Sequence, residues 1–476
     1  MQPRSYRCSP RLFALPDPPP VAGLLGRLRA RPGLIALDSA TGRPRRMSLV
    51  AADPLREDDG SPVRPGPAAA DARALLARLE LDGSAECSEP FSGGFLGALS
   101  YDLGVAGEDQ DLPADPWAAP KVVGGLYTDF VLIDHQRGSA TLVLGDQPGD
   151  DRPALNERRA RWMAAIEGAA AANASGDGAG ARGPLRRRVP ADEHRARIER
   201  AREWIAAGEF YQANLAHPFE RAVHGHPVEL YQRLRRANPA PYMAYLAWDT
   251  GALLSASPEL LLEVEGRAAR TRPIKGTIRR ATAPEEDARL RGELLESVKD
   301  NAELAMIVDL ERNDLGRVAV AGSVRVEDFP SLRSYAGLHH LTADVHATLP
   351  PDVDALDALL ALFPGGSITG APKLRSMRAI AELEGEGRGF FTGSAGFIDL
   401  RGNARFNILI RTLCWRPTAA AGEGEVRYHV GGGITWSSDA KSEDEETLLK
   451  GERLAAALEP EPSTTTILSD TGHGRA

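Results

Sequence analysis

Cysteine is nearly absent. The chain of 476 residues holds three, Cys8, Cys87 and Cys414, with no CxxC spacing. They build neither a disulfide framework nor a zinc knuckle, and they fit a reducing cytoplasm. No apolar run approaches the ~20 residues of a spanning helix, so no membrane association is expected. The first 20 residues are broken by Pro and Arg and hold no signal-peptide core. A positive balance is also lacking. The 57 basic residues face 66 acidic ones, for a net charge of −9. That excludes a sequence-blind grip on nucleic acid. Any anion site must bring its own cations. No internal repeat is visible, and GxxxxGK[ST] does not occur, so a nucleotide-binding P-loop is not inferred.

What remains is an ordinary soluble composition, 42% hydrophobic and 26% charged. The length suits about three domain-equivalents, or one large fold with an N-terminal elaboration. Two segments punctuate it: Asp53–Ala70, rich in Pro, Gly, Asp and Ala, and Gly168–Gly183, which leads into Arg186, Arg187 and Arg188. The natural cut lies near Leu185, giving an N-terminal region 1–185 and a C-terminal region 186–458. A tail, 459–476, has little to bury and is expected to be disordered.

In the N-terminal region, Leu34–Asp38 and Val122–Leu132 are expected strands and Asp71–Leu81 a short helix. Gly93–Asp102 is a Gly-bearing segment where backbone turns or passes closely. The C-terminal region opens with a helix capped by Asp192, with Ile198, Ala201 and Ile205 on one face and Gly208 at its end. A strand through Tyr211, Ala213 and Leu215 follows. Further strands are expected at Met243–Trp248, Leu260–Val264, Gly316–Val326, Phe391–Ile398, Phe406–Cys414 and Glu425–Val430. Helices are expected at Pro284–Leu295, Ser297–Asp309, Asp352–Leu362, Pro372–Glu384 and Ser442–Leu458. Strands in runs, with helices between runs, predict an α+β fold with antiparallel sheets.

Several side chains stand out. Asp300 and Glu303 share a helix face that Ile307 continues. Glu443, Glu446 and Lys450 are spaced three and then four on the last long helix. Taken singly, these are ordinary surface acids and an i,i+4 pair. Two such helices meeting would offer oxygen ligands to one Mg²⁺. Pro364–Lys373, which leads into a helix, and Gly431-Gly432-Gly433, which follows a strand, are either simple loop turns or backbone N–H donors for a carboxylate. Lys275 lies in Pro273-Ile274-Lys275-Gly276-Thr277, an odd place for a solvated charge. Sixteen residues upstream stands Glu259, and the segment between looks like a hairpin turning at Glu265-Gly266. Such a hairpin can bring Glu259 and Lys275 together, as a structural salt bridge or as an acid beside an activated amine.

At this point the C-terminal region resembles the chorismate-utilising enzymes. The matching stretches are Gly208–Ala216 (GEFYQANLA), Ser257-Pro258-Glu259, Arg272–Thr277 (RPIKGT), Lys299–Arg317, PGGSITGAPK, Asn407–Leu413, Gly431–Ile434 and Glu446–Lys450. They run in family order over about 240 residues. Gly93–Asp102 looks like the N-terminal part of the amide-transferring branch. The resemblance implies two large antiparallel β-sheets in a sandwich, with helices outside and the site between the sheets. It implies Glu303 and Glu446 as Mg²⁺ ligands, with Asp300 and Glu443 helping through water. Arg411 and Lys450 would bind substrate carboxylates, Gly431 and Gly432 would supply backbone donors, and Thr277 and His340 would line the substrate. Glu259 corresponds to the acid near the leaving hydroxyl.

Two positions sort the branches. Where isochorismate and salicylate synthases carry a water-activating lysine, this chain is expected to have Ala213. At Lys275, anthranilate synthases usually have alanine, and PIKGT is the form of the branch that aminates chorismate at C4. The resemblance therefore implies chorismate and ammonia as substrates, Lys275 as a covalent nucleophile and a separate glutamine amidotransferase subunit as ammonia source. Anthranilate formation, or a non-catalytic ligand-binding relative, is the alternative. Asn301 and Phe391 depart from residues common in the family. Leu37-Asp38-Ser39 resembles the edge of a pocket in which relatives hold a tryptophan-like ligand.

Overall fold

In a computed structural model, the structure describes residues 6–40, 47–56, 74, 79–81, 90–105, 108, 110, 112–146, 152–168, 178–335 and 337–459. Two antiparallel sheets face each other. The larger runs, from edge to edge, through Gly180–Arg187, Gln212–His224, Glu423–Ile434, Thr412–Pro417, Gly251–Ser257, Tyr242–Trp248, Ile35–Asp38, Met47–Ala51, Asp129–Asp134, Ser139–Leu144 and Arg11–Leu15. The smaller runs through Ile274–Arg279, Leu338–Thr348, Ala268–Arg272, Leu260–Glu265, Ala404–Asn407, Ser394–Asp399, Gly94–Leu99 and Val122–Tyr127, with Arg325–Tyr335 also paired on Leu338–Thr348.

Three apolar layers hold this together. Between the sheets lie Ile35, Leu49, Phe91, Leu96, Phe130, Leu246, Leu253 and Phe397, drawn from both. The outer face of the larger sheet is covered by helices Val21–Leu28, Arg152–Glu167, Pro227–Ala237 and Ala440–Leu458. Helices Val298–Gly316 and Ala355–Leu362 cover the smaller sheet. This is the α+β sandwich with outer helices that the resemblance implied. Among the described residues, no helix is long and apolar enough to cross a membrane.

The regions on either side of Leu185 share both sheets. Met243 pairs with Asp38 in the larger sheet, and Gly396 with Gly97 in the smaller. Leu185 itself lies inside the strand Gly180–Arg187. A cut there would run through a strand and leave neither sheet whole. Residues 460–476 of the expected tail lie outside the described residues, as does Cys87.

Two expected strands prove to be pairs. Val122–Leu132 is Val122–Tyr127 in the smaller sheet and Asp129–Asp134 in the larger. Phe406–Cys414 is Ala404–Asn407 in the smaller and Thr412–Pro417 in the larger. The second crossing runs through Ile408, Leu409 and Ile410, so the sequence stays hydrophobic and shows no break; the first passes through the buried polar pair Thr128 and Asp129, with Asp129 held by Arg158. In place of the strand expected at Gly316–Val326, the helix Val298–Gly316 extends two turns beyond Asp309, and the strand begins only at Arg325. Asp192 lies inside the first turn of Ala191–Ala206 rather than capping it, with Pro190 at the cap. The helix expected at Asp71–Leu81 lies largely outside the described residues, and Leu79–Leu81 is a strand paired with Tyr6–Cys8.

The seam in the smaller sheet depends on a residue without a side chain. A Cβ on Gly396 would stand 1.9 Å from the Arg405 carbonyl oxygen, a backbone atom that cannot swing away. Gly396→Ala is therefore expected to lower the melting temperature by many degrees or to abolish soluble folded protein, as followed by thermal denaturation.

Candidate active site

The site is built where chain segments pass from one sheet to the other. Strand Gly251–Ser257 belongs to the larger sheet and Leu260–Glu265 to the smaller, so Pro258 and Glu259 form a crossing. Ile408–Arg411 forms a second crossing in the opposite direction. The two lie side by side. The Ile408 N–H donates to the Glu259 carbonyl at 3.1 Å, and the Ala256 N–H to the Arg411 carbonyl at 3.0 Å. The Ser257 hydroxyl donates to the Ile408 carbonyl. Arg411 takes the left-handed backbone region, at φ 52°, to make its turn. One carboxyl and one guanidinium are thus fixed by backbone into the same interior.

Glu259 is 3% exposed. Burial pushes its carboxyl up to about 7, against the Ser367 hydroxyl, the Ile274 N–H and the charges of Lys275 and Arg411. That N–H donates to Glu259 Oε1 at 3.1 Å. The hairpin Leu260–Arg272 does bring Lys275 back to Glu259, turning at Gly266-Arg267. Lys275 is half-buried. Desolvation lowers its amine below the ordinary lysine value, opposed by Glu303, Glu259 and Glu446 and reinforced by Lys450.

A β-bulge aims this lysine. Lys275 pairs with Leu341 and Thr277 with His340, leaving Gly276 as the extra residue at φ 67°. A Cβ on Gly276 would lie 2.9 Å from the Asp300 carboxyl carbon. Glycine thus both permits the backbone angle and lets the acidic helix come close. Thr277 Oγ1 and His340 Nδ1 are 2.8 Å apart. His340 is 1% exposed, and its Nε2 has no hydrogen-bond partner. Burial and the Arg411 charge bring its imidazole down to about 3, so it is neutral.

Arg411 makes no ion pair within 4 Å among the described residues. Its guanidinium is lowered to about 10 by burial and by Arg453, while Glu259 pulls the other way. A half-buried cation without a bonded anion is suited to a ligand carboxylate.

Two helices supply the acids. On Val298–Gly316, burial raises the Glu303 carboxyl; Lys275 and Lys299 oppose this, and Asp300 and Glu443 add to it. On Ala440–Leu458, Glu443 accepts a hydrogen bond from the Ser438 hydroxyl at 2.7 Å. Burial would raise Glu446, but Lys450, 2.8 Å away, and the more distant lysines outweigh it and lower its carboxyl. Lys450 also donates to the Gly431 carbonyl at 3.0 Å. Gly432 lies against both partners: a Cβ there would meet Glu443 Oε2 at 3.3 Å and Lys450 Nζ at 3.6 Å. All twelve residues singled out in the sequence therefore belong to one connected cluster. Gly431, expected as an N–H donor, also offers its carbonyl.

The strand carrying Ala213 requires a correction. Ala213 is fully buried among Ile198, Phe210, Leu215 and Ile380, in an apolar cluster between helices. The side chain that meets the site from this strand is Gln212. A Cβ on Gly433 would lie 2.9 Å from Gln212 Nε2 and 3.3 Å from Lys275 Nζ. Gln212 is 0% exposed, yet neither end of its amide has a partner. Alternation along the strand carried this signal, since neighbours face opposite sides. Of the two departures from the family, Asn301 donates to the Leu295 and Ser297 carbonyls and closes the preceding helix. Phe391 is buried and stacked on His429.

Away from this cluster, a cavity of about 380 Å³ opens between the sheets, with Leu37, Asp38 and Ser39 on its edge beside Met47, Phe91 and Phe397. Asp38 is engaged there by Arg235 and by the Ser48 hydroxyl.

Comparison with known proteins gives a consistent result. A family model described as chorismate binding enzyme matches residues 35–456. The chain is 38% identical over 371 residues to aminodeoxychorismate synthase component 1 of Klebsiella aerogenes, covering 78% of each. It is 39% identical over 381 residues to anthranilate synthase component 1 of Streptomyces coelicolor, covering 78% of this chain and 73% of that one. Anthranilate synthase component I from Streptococcus pneumoniae superposes with a TM-score of 0.74 at 28% identity, over 87% of this chain and 93% of the other. The menaquinone-specific isochorismate synthase of Escherichia coli shares the fold, with a TM-score of 0.73 at 19% identity.

Glu259 holds its proton more tightly when folded than in the unfolded chain, where a carboxyl titrates near 4.5. The stability it contributes is full below that value and is lost as pH rises through about 7. Glutamine keeps the shape and the Ile274 contact without the titration. Glu259→Gln should therefore exceed the wild type in stability at pH 8, by on the order of 3 kcal/mol, with the margin closing towards pH 5. Denaturation at both pH values checks this, and a margin independent of pH contradicts it.

Proposed function

The chain belongs to the chorismate binding enzyme family, and we propose that it performs the reaction of aminodeoxychorismate synthase component 1. Chorismate and ammonia become 4-amino-4-deoxychorismate, the precursor of p-aminobenzoate and folate. The observation that carries this reading is the half-buried Lys275 amine, lowered by desolvation and aimed by its bulge beside the buried acid Glu259.

The chemistry follows from those two groups. The neutral Lys275 amine attacks C2 of chorismate. The two conjugated ring double bonds shift together, and the C4 hydroxyl leaves as water with the proton of Glu259. Ammonia adds at C4, the two double bonds shift back, and the C2–N bond to Lys275 breaks. The new C4 ammonium returns a proton to the Glu259 carboxylate. Arg411 and Lys450 hold the substrate carboxylates, and Lys450 exchanges its Glu446 and Gly431 contacts for this task. Gly431, Gly432, Thr277 and His340 line the substrate. Gln212, an amide rather than a base, cannot activate water, which supports ammonia as the nucleophile.

The donor set of Asp300, Glu303, Glu443 and Glu446 is all oxygen and carries more negative charge than the nearby lysines neutralise, which fits Mg²⁺. Glu303 and Glu446 would hold it, with Asp300 and Glu443 acting through water. When bound, it offsets the repulsion between these acids and a dianionic substrate.

Ammonia comes from a separate glutamine amidotransferase subunit. Of the described cysteines, Cys8 is buried, and burial raises the Cys414 thiol to about 12, so neither is an activated nucleophile. The second reading is anthranilate synthesis, favoured by the likeness to the Streptomyces coelicolor enzyme. Lysine rather than alanine at position 275 weighs against it.

Incubation with chorismate, Mg²⁺ and ammonium should yield aminodeoxychorismate, with glutamine inactive for the isolated chain. Anthranilate as the main product would overturn the proposal. Glu303→Gln and Glu446→Gln should each lose nearly all turnover while staying folded, and EDTA should do the same to the wild type.

Lys275→Arg keeps the charge but stays protonated, so it should be crippled. Intact mass spectrometry of the wild type with chorismate and Mg²⁺, without ammonia, should reveal an adduct on Lys275. No adduct, together with an active Lys275→Arg enzyme, would remove the covalent step and leave the family assignment standing.

A further inference from the structure

The helix Ala440–Leu458 presents Glu443, Glu446 and Lys450 to the site, but its two halves are seated differently. The C-terminal half rests on apolar contact, with Leu454, Ala457 and Leu458 in the layer behind the larger sheet. In the N-terminal half only Ala440 is buried among apolar neighbours. From Lys441 to Lys450 no apolar side chain is buried, and Leu448 and Leu449 are exposed. The side chains buried there are polar: Glu443 at the site, and Asp444 and Thr447 on the adjoining face.

Asp444 is 1% exposed and is gripped from two other elements. Arg187, in the strand Gly180–Arg187, reaches both of its carboxylate oxygens. His194, in the helix Ala191–Ala206, brings Nδ1 within 2.8 Å of Oδ1, and Arg195 adds a guanidinium nitrogen 3.4 Å from Oδ2. Alternation along the strand turns Arg187 inward while Arg186 and Arg188 stay exposed. The Thr447 hydroxyl donates to the Asp444 carbonyl at 2.7 Å, so its oxygen accepts from His217 Nε2, 2.9 Å away. His194, His217 and Asp444 offer ligand atoms within 4.8 Å of one another, but two guanidiniums already hold the carboxylate, which disfavours a metal ion there.

We infer that Asp444 is a positioning residue: through Arg187 and His194 it sets the rotation of the helix about its own axis, and with it the presentation of Glu443 and Glu446 to Mg²⁺ and of Lys450 to the substrate. The inference rests on the reading of these acids as the metal site. Apolar packing has no direction and lets a helix roll, whereas a forked, charge-assisted pair has one geometry. Asp444 adjoins Glu443 and lies two residues from Glu446, so a roll at Asp444 carries both acids with it.

The test separates orientation from stability. Asp444→Asn keeps the shape and gives up the charge. Mn²⁺, which takes the same oxygen ligands as Mg²⁺, is titrated into the protein without chorismate and followed by electron paramagnetic resonance. Asp444→Asn should bind it about tenfold more weakly than the wild type, and the Mg²⁺ concentration for half-maximal turnover should rise in parallel. Leu454→Ala, in the apolar half, is the control. It should lower the melting temperature at least as much and leave Mn²⁺ affinity within about twofold of the wild type. Wild-type affinity in Asp444→Asn overturns the inference. So does an equal loss of affinity in Leu454→Ala, because general loosening of the helix would then account for both. Should Asp444→Asn fail to fold, Arg187→Lys decides. It keeps the charge without the fork and should weaken Mn²⁺ binding about threefold, and wild-type affinity there overturns the inference. If Glu303→Gln and Glu446→Gln bind Mn²⁺ like the wild type, the metal reading itself fails and takes this inference with it.

Discussion

Everything at the site depends on two chain crossings being locked together. An antiparallel sheet satisfies its backbone within its own plane, so a segment that leaves one sheet for another exposes unpaired groups in the interior. Here the crossings at Pro258-Glu259 and Ile408–Arg411 run in opposite directions and satisfy each other, through Ile408 to Glu259 and Ala256 to Arg411. The side chains at such points are held by backbone that cannot shift without breaking both sheets. An acid and a guanidinium are thereby fixed where the two sheets meet, a placement that neither would take unaided.

The electrostatics follow from that placement. The protein is acidic overall, and its proposed substrate is a dianion, so binding must be arranged locally. Burial does opposite things to the two kinds of group: it raises Glu259 and lowers Lys275, bringing an acid and an amine towards neutrality side by side. A pair that would form an ordinary ion pair at the surface becomes a proton donor next to a nucleophile.

Much of this was legible in the sequence, for identifiable reasons. The hairpin joining Glu259 to Lys275 showed itself through its turn and its length. The acidic helices showed themselves through their three- and four-residue spacing. The crossing at Ile408–Arg411 is invisible in the sequence, because an apolar strand and an apolar crossing look alike when both are buried, so Phe406–Cys414 looks like one long strand. Ala213 is the residue the resemblance points to, yet Gln212 meets the site, and one residue along a strand means the opposite face. Asp444 stands in a run of acids from Glu443 to Glu446, and nothing there marks which of them are buried until the helix is packed.

The seam between Gly94–Leu99 and Ser394–Asp399 carries a consequence for how the chain reaches this state. Gly97 and Gly396 are neighbours in space but are separated by most of the sequence. During synthesis the N-terminal strands emerge long before their partners, with the Gly94–Leu99 and Ile35–Asp38 edges open to any other extended chain. Long-range pairing of this kind slows folding and prolongs that exposure. Truncating the chain near residue 185 would make the delay permanent, turning each seam into a sticky edge, so the two regions are best expressed as one polypeptide.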